Sequence, residues 1–223
     1  MVCDPGAVEF VDFVLAELDR TPSRVLEIGC GDGQAALTLS AAGHEVTAID
    51  PVAPEGPIFE RVTLEEFVPS APFDAVVASF SLHHVPELEL AVDKIAELAP
   101  LLVVDEFAWD RFDERTAAWY VAQLDGSQST QQCLRDWRDE HEGLHGYENL
   151  RTAFDRRFRE HFFAWCPHLH RYSGVRADQE SEQALIDAGA FDAIGFRYVG
   201  TRRRLGAARS RAAPTFRPNG VIS

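Results

Sequence analysis

Val25-Leu26-Glu27-Ile28-Gly29-Cys30-Gly31-Asp32-Gly33 is the stretch that decides how this chain reads. An apolar run enters a turn with glycine at every second position, and the alanine-rich segment from Gln34 follows at once. The pattern predicts a strand, a tight turn and a helix. Glycine lets the backbone approach a neighbour closely and adopt positive φ without a steric penalty. The helix start then aims its unpaired N–H groups and positive dipole end into the same space. A polar ligand is expected at this turn.

Spacing separates the ligand classes. A dinucleotide fingerprint reads G-x-G-x-x-G, and the position for its third glycine is Gln34 here. Glu27 sits inside the strand, two residues before the first glycine. E-x-G-x-G-x-G after a strand resembles motif I of the class I S-adenosylmethionine-dependent methyltransferases. That resemblance implies S-adenosylmethionine as cofactor. Glu27 would orient the turn near the cofactor's amino group, and Gly29, Cys30, Gly31 and Gly33 would bring backbone to its amino-acid part.

Working outward, Glu45–Asp50 is a β-branched strand ending in an acid 21 residues after Gly29. A carboxylate at that strand tip can accept hydrogen bonds from ribose hydroxyls, so Asp50, with Pro51 beside it, is the expected ribose site. Residues 58–62 read as a short third strand. The adenine is expected near Thr63 and Leu64, with Glu65 and Glu66 just beyond. Phe73–Ser79 reads as a central strand buried on both faces. It runs into Phe80-Ser81-Leu82-His83-His84, which is similar to a fourth-strand motif of the same family. Ser79 and Phe80 are expected at the cofactor, and the segment 79–84 near the transferable methyl. A helix over 86–98 and a fifth strand, Leu101–Glu106, follow, without the glycine-rich turn that the family usually has before that strand.

The resemblance implies a Rossmann-like, doubly wound α/β fold whose seven-stranded sheet is mostly parallel, with a helical insertion after strand five. The expected division is a cofactor-binding core over 1–109, a helical cap over 110–175, a return to the core over 176–200 and a basic tail over 201–223. Helices are predicted at 113–124, 130–140, 147–161 and 178–188, and a last antiparallel edge strand at 191–199. The first helix is predicted to open at Asp4-Pro5.

Methyl transfer to a small-molecule oxygen or nitrogen is the expected activity. His83 and His84 are the first candidates for a base, because an unperturbed imidazole titrates near neutral pH. The alternative is that they orient the loop or the cofactor. Asp105 and Glu106, at the end of strand five, are second candidates. Rival readings are a cofactor-binding protein without turnover, an NAD-dependent oxidoreductase, and a metal hydrolase. The last rests on His141-Glu142-Gly143-Leu144-His145, which fits H-E-x-x-H. Gly143 and Gly146 weaken the helix it requires, and Arg151 stands where a third histidine would extend it. No metal is expected there.

Composition bounds the rest. At 223 residues the chain can bury a sizeable core. A net charge of −15 argues against a nucleic-acid binder, although the segment from Thr201 carries six arginines and no acid. Cys3, Cys30, Cys133 and Cys166 show neither C-x-x-C spacing nor a disulfide framework. With no membrane-length apolar run and no leader-like start, the expected location is the cytoplasm.

Overall fold

The structure is a computed structural model and describes residues 9–124 and 128–203. Asp4-Pro5, Cys3 and all but the first three residues of the basic tail therefore lie outside the described residues. Helix α1 (Phe10–Glu17) precedes β1 (Arg24–Ile28), and α2 (Gln34–Ala41) leads to β2 (Glu45–Ile49) and the two-residue β3 (Phe59–Glu60). Then come β4 (Ala75–Ser79), α3 (Leu88–Leu98) and β5 (Leu101–Phe107). Three helices follow: α4 (Glu114–Gln123), α5 (Thr130–Glu140) and α6 (Tyr147–Arg157). The chain closes with β6 (Phe158–Cys166), α7 (Gln179–Asp187) and β7 (Gly195–Arg202).

These strands form one seven-stranded sheet in the order β3-β2-β1-β4-β5-β7-β6. Pairing is parallel from β3 to β5, and β7 runs antiparallel to both β5 and β6. The order reverses between β1 and β4, and a crevice opens beyond the carboxyl ends of strands at such a switch point. One sheet face packs Leu26, Val76, Leu102 and Val104 against α3 and α6 through Val92, Ile95 and Phe154. The other packs Val25, Val77 and Val103 against α1 and α2 through Phe13, Val14 and Leu39. Burial on both faces explains why β1, β4 and β5 are nearly continuous apolar runs.

Two expectations need correction. The helix predicted over 147–161 ends at Arg157, and the next nine residues form β6. Arg and Glu within 156–160 are good helix formers, so local propensity favours continuing the helix. Pairing of Phe158–Cys166 with β7, a long-range contact, overrides it. The segment 110–175 is therefore not helical throughout. The last strand starts at Gly195 rather than 191, and it lies inside the sheet with β6 outside it as the edge. Helices α4, α5 and α7 begin with Asp113, Ser129 and Asp178 as side-chain caps, each accepting from an N–H three residues on. A third apolar cluster ties the cap to the sheet end: Phe112, Ala117, Cys133 and Trp137 meet Phe107, Leu169 and Ile194.

Candidate active site

The glycine turn is held by its neighbours on both sides. Gly29 and Cys30 donate their N–H groups to Ile49 O at 2.8 and 3.2 Å. Asp50 accepts from Gly31 N at 3.1 Å through one carboxylate oxygen and from Val52 N at 2.8 Å through the other. Ser81 donates its hydroxyl to Ile28 O at 2.9 Å. A Cβ on Gly29 would lie 2.2 Å from Ser81 Cβ, so glycine is what lets the ends of β1 and β4 close together. Gly31 differs: at φ +51° its Cβ would meet nothing within 4 Å and would project into open space. That space is a cavity of about 480 Å³ lined by Gly29, Gly31, Asp50, Pro51, Thr63, Leu64, Ser79 and Phe80 among others. Eight of the predicted cofactor residues thus meet at one site.

The other three stand behind the wall. Gly33 faces the Phe59 ring, 2.5 Å from where its Cβ would be. The Cys30 thiol is buried, and burial pushes it up to about 11, which leaves it inert. Glu27 shares the face of Val25, beneath the start of α2, and accepts a bond from the Ala36 N–H. Burial pushes its carboxyl up to about 7, and Oε2 is buried without a partner among the described residues. An unpaired buried carboxylate oxygen beside a glycine turn suits a ligand that brings a cation or an N–H donor.

A second cavity of about 520 Å³ adjoins the first, and the two share Phe80 and His84. Phe80 has φ +47°, a conformation that costs a non-glycine residue about 1–2 kcal/mol. Its ring is held between the His168 ring at 4.8 Å and the Arg171 guanidinium at 4.6 Å. The walls come from distant segments: His83, Phe107, Glu140, His141, His168 and Tyr172 all contribute.

Two buried glutamates shape this second cavity. Glu106 accepts from the N–H groups of Ser81 and Leu82 at 2.9 and 2.7 Å, and its other oxygen lies 2.7 Å from His83 Nδ1. It therefore fixes both the single 3₁₀ turn Leu82–His84 and the orientation of the His83 ring. Glu182 does the same for the turn Leu169–Arg171, accepting from His168 N and Leu169 N at 2.9 and 3.0 Å and meeting His170 Nδ1 at 2.9 Å. Asp105 lines neither cavity. It sits between Arg171 at 3.2 Å and Arg197 at 3.9 Å, and burial pushes its carboxyl up against the pull of both cations.

Burial lowers His84 and, more strongly, His168, which goes well below the ordinary histidine value; the Glu106 carboxylate partly opposes the shift at His84, and the Arg171 guanidinium adds to it at His168. The H-E-x-x-H stretch does not place its histidines on one helical face. His141 caps the end of α5 with Nδ1 at 2.6 Å from Trp137 O, whereas His145 lies in the irregular segment before α6 with Nε2 at 2.8 Å from Val85 O. Among the described residues no group of three or more His, Cys, Asp or Glu could hold a metal ion.

A larger cavity, about 910 Å³, opens at the opposite edge, among Ser23, Leu101 and Arg202. It has neither the glycine turn nor a helix start, and it lies away from the carboxyl ends of the parallel strands where ligands of such sheets bind.

A family model described as a methyltransferase domain matches residues 6–161. The chain belongs to the methyltransferase domain family. Among relatives of this methyltransferase-family chain is a ubiquinone biosynthesis O-methyltransferase of Xylella fastidiosa, 32% identical over 104 residues. That match covers 40% of the chain and 42% of the relative, so the chain spans less than half the length of the curated relatives it matches. Its fold is shared with a putative S-adenosylmethionine-dependent methyltransferase of Listeria monocytogenes (TM-score 0.55, 12% identity, covering 87% of this chain and 98% of that one). It is also shared with the 1,6-didemethyltoxoflavin-N1-methyltransferase of Burkholderia thailandensis, solved with 1,6-didemethyltoxoflavin and S-adenosylhomocysteine bound (TM-score 0.52, 16% identity, covering 87% and 76%).

The sequence did not point to Ser81, although the segment containing it was expected at the site. It also gave His141 and His168 no place beside His83. No local pattern could have done so, because His83, Phe107, His141 and His168 meet only through the packing of the cap.

Proposed function

We propose that this chain binds S-adenosylmethionine in the crevice between β1 and β4 and methylates a small-molecule hydroxyl or amine held in the adjoining cavity. The observation that carries this reading is the pairing of the two cavities across Phe80 and His84. One has the glycine turn and the Asp50 carboxylate, and the other is aromatic with histidines at its wall. When bound, the cofactor supplies a methyl group already activated by the positive sulfonium. The chain's residues then have to align the acceptor and keep water out. The Gly31 approach, Asp50 and the unpaired Glu27 oxygen suit the cofactor's amino-acid and ribose parts, with Thr63 and Leu64 toward its base.

His83 is the residue we assign as base. Glu106 holds the Nδ1 proton, so in the neutral ring Nε2 carries the lone pair that takes the acceptor's proton. Glu106 itself is committed to backbone N–H groups and acts as a positioning residue. His84, shared by both cavities, borders the point of transfer. Asp105 supports Arg171 and is not needed as a base. In this reading α4, α5 and α6 cap the acceptor side, while residues 9–109 and β6, α7 and β7 form the core. No helix of the described residues is long and apolar enough to cross a membrane. A cytoplasmic location belongs to the same proposal, as does the absence of a nucleic-acid partner, the latter on the strength of the net charge of −15.

Calorimetric titration with S-adenosylhomocysteine, beside NAD, tests it on wild type and Asp50→Ala. Micromolar binding of S-adenosylhomocysteine alone, weakened in the variant, is the expected result. No binding by folded protein would refute the reading.

A further inference from the structure

Two histidines at the wall of the second cavity have opposite hydrogen-bonding sense, and each is set by what it does on its far side. His83 gives its Nδ1 proton to Glu106 at 2.7 Å. Its Nε2 has no hydrogen-bond partner among the described residues and is not among the fully buried unpaired atoms, so it faces the cavity its ring lines. In the neutral ring this atom is an acceptor.

His168 is the reverse case. Its ring is buried, stacks on Phe107 at 4.6 Å with 7° between planes, and its Nδ1 is buried without a partner among the described residues. A neutral imidazole carries one N–H. Orphaned buried N–H groups are rarer in proteins than under-used lone pairs, which places the proton on Nε2. That atom is neither fully buried nor bonded among the described residues, so it presents a donor to the same cavity. Both rings pack on Phe107, His83 edge-on at 4.8 Å, which makes them neighbours on one wall.

We infer that this wall reads two oxygens on one flat acceptor: a hydroxyl that donates to His83 Nε2 and is methylated, and a second oxygen that accepts from His168 Nε2–H. The inference rests on the methyltransferase reading above and names the acceptor class for the same site. Flatness follows from walls made of the Phe80, Phe107 and Tyr172 rings. In the transfer, the hydroxyl oxygen forms the bond to methyl, its proton goes to His83 Nε2, and the sulfur keeps the electron pair of the broken bond. His168 takes no proton. It is a specificity-determining residue, because a site built to donate a hydrogen bond rejects a ligand that lacks the matching oxygen.

The test is equilibrium titration of phenol, catechol, resorcinol and hydroquinone into the full chain saturated with S-adenosylhomocysteine, on wild type, His168→Phe and His168→Gln. Phenylalanine keeps the stack on Phe107 and removes the donor, whereas glutamine restores an N–H. In wild type, at least one dihydroxy isomer should bind about tenfold more tightly than phenol, the size expected of one well-made hydrogen bond. In His168→Phe that advantage should fall to about twofold or less, and His168→Gln should recover most of it. Dihydroxy isomers no tighter than phenol in wild type overturn the inference, as does an advantage that survives in His168→Phe. No binding of any of the four to protein that binds S-adenosylhomocysteine also overturns it, and leaves the methyltransferase reading standing. Failure to bind S-adenosylhomocysteine overturns that reading and this inference together.

Discussion

Replacing Gly29 and Gly31 by alanine should separate two jobs that look identical in the sequence. Both residues have positive φ, +70° and +51°, so each substitution costs about 1–2 kcal/mol in backbone conformation. Beyond that the two positions part. The new Cβ at 29 would sit 2.2 Å from Ser81 Cβ and 2.9 Å from its Oγ, where one of the strand ends has to give way. Overpacking of that kind adds about 1–3 kcal/mol. Gly29→Ala should therefore lose about 2–5 kcal/mol in all, and for a chain of this size each kcal/mol is about 2–4 °C in Tm. Gly31→Ala should lose only the backbone part, because no atom lies within 4 Å of its new Cβ. It should instead weaken S-adenosylhomocysteine, since that Cβ enters the cofactor cavity. The assay is urea denaturation of the two variants and of Gly29→Ala/Ser81→Gly, with calorimetry on those that fold. Ser81→Gly alone gives up the hydroxyl bond to Ile28 O, about 1 kcal/mol. In the double variant it should return most of the clash, so the pair will not be additive. Equal stability losses for the two alanine variants, within 0.5 kcal/mol or so, would refute the reasoning from close approach.

Four further outcomes follow from the site. Glu27 is pushed up to about 7 from an ordinary value of 4.5, so between these pH values the folded chain holds a proton that the unfolded chain has released. Stability without cofactor should fall as pH rises across that window, by on the order of 3 kcal/mol, and denaturation of Glu27→Gln should show that slope removed. Asp50→Ala should cost about 1–3 kcal/mol in S-adenosylhomocysteine affinity, because it loses the ribose acceptor and the bond from Gly31 N together; calorimetry that finds an unchanged affinity would count against the assigned cofactor pose. His83→Gln should lower turnover of a hydroxyl acceptor roughly 10²–10⁴-fold with little change in cofactor affinity. Glu106→Gln should do so less severely while shifting the pH–rate profile, a readout that loss of the turn alone would not move.

The chain's own order of residues determined the cofactor half of this site. Strand, glycine turn, helix and acid-tipped neighbour are local features, each written within about thirty residues, and their geometry follows from sterics at glycine and from helix ends. That is why Gly29, Gly31 and Asp50 could be named in advance; Thr63 and Phe80 were named from the family resemblance, and all five meet around one cavity. Glu27 was legible as a site residue, but its unpaired oxygen and raised carboxyl are consequences of burial under α2, which no spacing reveals. The first four residues of β6 were misread as helix because their pairing partners lie about forty residues further on, and local propensity carries no information about those partners. On the proposed acceptor side the sequence named His83 and His84, but only the tertiary structure supplied their surroundings. His83, Phe107, His141 and His168 come from four separate segments, and their ring contacts exist only once the cap packs on the sheet end. The roles of the two glutamates were decided in the same way. Glu106 read as a second candidate for a base and Glu182 drew no reading, yet each is buried against the backbone N–H groups of a histidine-bearing turn, and those bonds fix the turns beside which His83 and His168 reach the same space.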